Sequence, residues 1–136
     1  MVPKFHVLAA VGVLLHSGCS GSLSPTEVLQ GLYGAPPPPA VKIVHFYGDR
    51  FGMDPSFAWV LSPVDDTYLK TLIKTKGLKT PAPGEKPTMV RYGFPSWWDH
   101  DRIEALSELY FDDNEGLRRI WVDRDGGRLY VEFIGT

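Results

Sequence analysis

Asp99-His100-Asp101 is the run with the most chemical potential in this chain. Carboxylates beside an imidazole raise its basicity, and all three groups are metal-ligand types. Taken with His45 and Asp49, His100 completes the residue set of a two-histidine, one-carboxylate centre that holds zinc or iron with open positions. That set would make the chain a small metal-assisted hydrolase. A simpler account has Asp99 or Asp101 capping the helix that follows, with His100 exposed between them, because sequence neighbours seldom converge on one ion. His45 falls on the same strand face as Ile43 and Tyr47, where a half-buried, satisfied imidazole is the ordinary outcome.

Trp97-Trp98 is the second candidate. Trp59, Trp121, Tyr47, Tyr92 and Phe94 add to the aromatic supply, and such side chains offer large contact area at little entropy cost to a sugar, a peptide or a protein. Two adjacent tryptophans cannot both point inward from a strand, so Trp97 and Trp98 are the expected binding residues unless both pack around a loop-to-helix corner. Serine occurs in no Gly-x-Ser-x-Gly elbow, and no Ser-x-x-Lys pair, phosphate loop or dinucleotide fingerprint is present. No catalytic residue and no cofactor are therefore expected. The acidic run Asp112 to Gly116 lacks the ligand spacing of an EF-hand and reads as a solvated connector.

Composition narrows the partners. The chain has 136 residues and a formal net charge of -2, which suits one domain and argues against nucleic acid. Its densest basic cluster, Lys70, Lys74, Lys76 and Lys79, fits the exit of a helix. The single cysteine, Cys19, excludes an internal disulfide and cysteine-based zinc sites.

The start of the chain explains that cysteine. Met1 to Lys4 is a short basic segment, Val7 to Leu15 carries no charge, and Ser17 and Gly18 are small, which is the layout of a signal peptide over residues 1–18. The apolar run is too short for a spanning helix, which needs about 20 residues. Leu15-His16-Ser17-Gly18-Cys19 resembles the lipobox of bacterial lipoproteins, with His16 where that family has a small aliphatic residue. The resemblance implies that Cys19 is lipidated and becomes the new first residue. It further implies a lipid-anchored protein of the cell envelope, attached to the membrane through Cys19; joined to the aromatic surface at Trp97 and Trp98, this reads as a small module that binds an envelope protein or another envelope component. Ser20 resembles the residues that permit passage to the outer membrane in Gram-negative bacteria.

Residues 19–40, rich in Ser, Gly and Pro, read as a tether, within which Ser24-Pro25-Thr26-Glu27 has the form of a capping box. A single globular domain is expected over 41–136. Val41 to Tyr47 and Phe57 to Leu61 predict neighbouring strands. Ser62-Pro63 predicts the start of a helix whose Val64, Tyr68, Leu69, Leu72 and Ile73 face the sheet, ending at Gly77. A short helix follows Trp98, with a strand near Leu109 to Phe111. Alternation on either side of Asp125-Gly126-Gly127 predicts a C-terminal β-hairpin, with Ile120, Val122, Leu129, Val131 and Phe133 on one buried face. The expected fold is α+β: an antiparallel sheet of about five strands with one main helix packed on a face.

Overall fold

The run Phe57-Ala58-Trp59-Val60-Leu61 has no polar alternation because its strand is buried on both faces. In the computed structural model, which describes residues 23–50, 54–85, 87 and 93–135, five antiparallel strands form one sheet. They are β1 (Lys42–Asp49), β2 (Ser56–Ser62), β3 (Leu109–Asp112), β4 (Leu117–Asp123) and β5 (Arg128–Ile134), in the order β1-β2-β5-β4-β3. The α+β fold and the C-terminal hairpin thus form as expected. Gly127, at φ 66°, supplies the left-handed residue that the β4-β5 turn requires. The leader segment and Cys19 lie outside the described residues.

Two helices cover one face of the sheet. In α1 (Pro25–Tyr33) the Ser24 hydroxyl accepts the Glu27 N–H at 3.3 Å, and Gly34 closes the helix at φ 89°. In α2 (Asp66–Lys76) the cap is Asp65, whose carboxylate accepts the Tyr68 N–H at 2.9 Å. Ser62 is not the cap, because it is still held in the β1-β2 ladder opposite Lys42. Leu29 and Tyr33 of α1 and Tyr68, Leu69 and Leu72 of α2 pack with Phe57, Trp59, Leu61, Ile120, Val122, Leu129, Val131 and Phe133.

This packing moves a boundary. Leu29 and Tyr33 are fully buried, so the segment from Leu23 to Ala40, read from its composition as tether, belongs to the folded unit. Its few apolar residues are placed where one short amphipathic helix needs them. Tyr33 donates its hydroxyl to the backbone carbonyl of Glu132, and Trp59 donates its indole N–H to the Pro25 carbonyl at 3.0 Å.

The opposite face is also covered, by α3 (His100–Glu104) and the turn that leads into it. Trp98 and Ile103 pack there on Ala58, Val60, Leu109, Phe111, Trp121 and Tyr130. A β-bulge between Ile43 and His45 sorts β1 between the two faces. Ile43 pairs with Leu61 and joins the helix-covered core, whereas His45 pairs with Val60 on the other face. Ile43 and His45 therefore do not share a face, contrary to plain alternation.

Candidate functional site

Pairing registers lay one row of residues straight across the second face: His45, Val60, Tyr130, Trp121 and Leu109. Trp98 sits over its middle, edge-on to Trp121 at 6.1 Å and to Tyr130 at 5.8 Å between ring centroids. Trp97 lies over its end, stacked on His45 at 4.9 Å with 10° between the ring planes. A turn sends the adjacent side chains to these separate places; the Trp98 N–H bonds the Pro95 carbonyl at 2.9 Å. Trp98 is 2% exposed and serves as a wall, while Trp97 is half-buried and open at the rim.

Asp99 then caps α3, its carboxylate accepting the Arg102 N–H at 3.2 Å. That is the role the simpler reading assigned to it. One helical turn places Arg102 over Asp123 of β4, which it grips with two donors at 2.9 and 3.3 Å. The other oxygen of Asp123 accepts the Gly126 N–H at 2.9 Å. The Gly126 N–H first, and then the Arg102 guanidinium, hold the Asp123 carboxyl below its ordinary range. The Asp123 bond in turn holds Arg102 charged.

Between the turn, α3 and the end of β5 lies an open cleft of about 450 Å³, lined by Ser96, Trp97, Asp99, Arg102, Arg128 and Tyr130. Aromatic rings contribute its walls, and the Arg102 and Arg128 guanidinium groups, the Asp99 carboxylate and Ser96 its polar lining. Arg102, Arg128 and Tyr130 escape a sequence reading that takes this side of the hairpin as its solvent face. Their signal is the alternation of Arg128 with Tyr130 opposite Asp123 and Trp121.

The neighbouring row, Tyr47, Ala58, Glu132, Arg119 and Phe111, places a carboxylate and a guanidinium on opposed positions in the interior. Glu132 is fully buried, and among the described residues neither carboxylate oxygen has a hydrogen-bond partner. Burial pushes its carboxyl up to about 7, with Arg119 partly opposing the shift.

The metal-site set is not brought together. His45 and Asp49 lie four residues apart on β1, a separation of about 13 Å at roughly 3.3 Å per residue, and the His45 ring is covered by Trp97. His100 is the first residue of α3 and is half-buried there, not exposed as the capping account expects. Among the described residues no three His, Cys, Asp or Glu side chains are grouped to hold a metal ion. Asp112 ends β3, and Asp113 to Glu115 form an exposed connection to β4. No protein-family model, curated protein or solved structure matches the chain.

Proposed function

We propose that this chain is an exported, lipid-anchored envelope protein whose folded unit binds a protein partner and is not an enzyme. The observation that carries the reading is the cleft beside Trp97. Its lining combines Trp, Tyr and Arg, the side chains that dominate binding energy at protein interfaces, with Trp97 left open at the rim. Trp98 fixes the turn that presents it. The lipobox-like segment ending in Cys19 supports anchoring through an acyl chain. Among the described residues no helix is long and apolar enough to cross a membrane.

The test is a crosslinked pull-down of the tagged full-length protein from its native envelope, run beside Trp97→Ala. Trp97→Ala is the informative variant because Trp98 is part of the core. A stoichiometric partner lost in the still-folded variant supports the module; recovery of the same partner by both proteins moves the contact away from this cleft. No partner from either removes the reading.

A further inference from the structure

Arg128 is the cleft cation whose N–H donors make no hydrogen bond among the described residues, although its charge helps hold Asp123 ionised from directly across the ladder. Asp123, directly opposite it on β4, already accepts from Arg102 and from the Gly126 N–H. Asp99 is engaged as the cap of α3. Among the described residues Arg128 has no hydrogen bond or ion pair of its own, yet its side chain lines the cleft next to Trp97 and Tyr130. Exposed Lys42 lies on β1 at the same end of the sheet and adds positive charge near the rim. A guanidinium offers a planar fork of donors that matches a carboxylate at two points, and desolvation by flanking rings strengthens that contact.

Resting on the binding-module reading above, we propose that the cleft recognises a carboxylate side chain in an acidic stretch of the partner. Arg128 takes the carboxylate through two N–H donors, and Trp97 packs against an apolar neighbour of that residue. A singly charged carboxylate fits better than a phosphate dianion, because Asp99 and Asp123 stand close by and repel a second charge. A saccharide fits less well, since a sugar platform needs an open indole face and His45 already covers one face of Trp97. Nucleic acid is disfavoured by the chain's net charge of -2.

The probe is an acetylated, amidated peptide, Glu-Glu-Phe-Glu-Glu, titrated into the full-length protein beside its all-glutamine counterpart and tetragalacturonate. Arginine Nε–H and tryptophan indole N–H resonances are followed by two-dimensional NMR. The acidic peptide is expected to shift the Arg128 and Trp97 signals while the glutamine peptide does not. Arg128→Gln is expected to weaken binding about tenfold, the usual consequence of losing a charged hydrogen-bonding partner. Arg128→Lys, which keeps the charge but loses the fork, should fall between. Unchanged Trp98 and Trp121 signals certify that each variant keeps its fold.

Equal binding of both peptides, or wild-type affinity in Arg128→Gln, overturns the carboxylate assignment and leaves the binding module standing. Response to tetragalacturonate without response to the peptide overturns it in favour of a saccharide. If no probe moves Trp97, this inference falls; the module reading falls with it only when the pull-down is also empty.

Discussion

Glu132 on β5 lies directly across from Arg119 on β4, and both side chains are shut away from solvent on the face that carries Trp98. The carboxylate has this one neighbouring cation and no hydrogen bond, so burial outweighs attraction and protonation is favoured.

A pH dependence of stability follows. The carboxyl ordinarily titrates at 4.5 and is pushed up to about 7 in the fold. Between those values the folded chain holds a proton that the unfolded chain releases. Stability contributed by this group is therefore fully present below 4.5 and is lost as pH rises through about 7. Urea midpoints of the wild type should fall from pH 5 to pH 8, whereas Glu132→Gln should flatten that slope and exceed the wild type at pH 8. A slope unchanged by the substitution would assign the dependence to other groups.

The same pair shows where sequence reading succeeds and where it stops. Strands, hairpin and the apolar stripe of α2 are legible because period-2 and period-3.6 patterns report one buried face each. The second buried face is not: Arg119 and Glu132 alternate with apolar residues and so look solvated. The clue is β2, whose unbroken apolar run needs cover on both sides. The bulge at Ile43 and His45 is silent in sequence, and although the capping box at Ser24 marks the start of α1, its Pro- and Gly-rich flanks conceal that the helix packs into the core. At the site, the adjacent tryptophans cannot both point inward from a strand, but which is core and which is half-buried depends on the turn after Pro95.

Tyr33 tests whether α1 is part of the fold. Its hydroxyl donates to the Glu132 carbonyl from a fully buried ring. Tyr33→Phe removes that hydrogen bond and should cost about 1 kcal/mol, read as a lower urea midpoint at unchanged m-value. Tyr33→Ala also leaves a cavity under β2 and β5 and should cost ~3–5 kcal/mol, as large aromatic deletions do. Stability unaffected by Tyr33→Ala would return the segment to the role of a tether.

The two tryptophans should separate in the same assay. Trp98→Ala empties the space between Phe94, Trp121 and Tyr130 and should destabilise by ~3–5 kcal/mol. Trp97→Ala loses the stack on His45 and an edge contact with Trp98 and should cost about 1–2 kcal/mol. Binding should show the reverse order, because only Trp97 offers open surface to a partner. Equal stability losses would show that Trp97 is also a core residue.

Zinc or manganese should leave the melting temperature unchanged, with or without chelator. An ion that binds only the folded state must raise it, and the separation of His45 from Asp49 leaves no shared ion position. A rise of several degrees that disappears in His100→Ala would restore the metal-dependent hydrolase.

The anchor proposed at Cys19 would have a geometric consequence. Leu23 packs against the core, where a side chain added at Gly48 would meet it at 3.0 Å. Only Ser20, Gly21 and Ser22 separate it from Cys19, so an acylated Cys19 holds the folded unit within about 14 Å of the lipid surface, at roughly 3.5 Å per residue. Cys19→Ala should move the protein from the membrane to the soluble fraction, and unchanged fractionation would eliminate the acyl anchor. A flexible Gly/Ser insert after Ser22 should leave membrane attachment intact while opening the junction to a protease that cannot approach it in the wild type. Equal cleavage of both proteins would mean that the bilayer does not crowd the junction, and the short tether would then have no bearing on how a partner reaches Trp97.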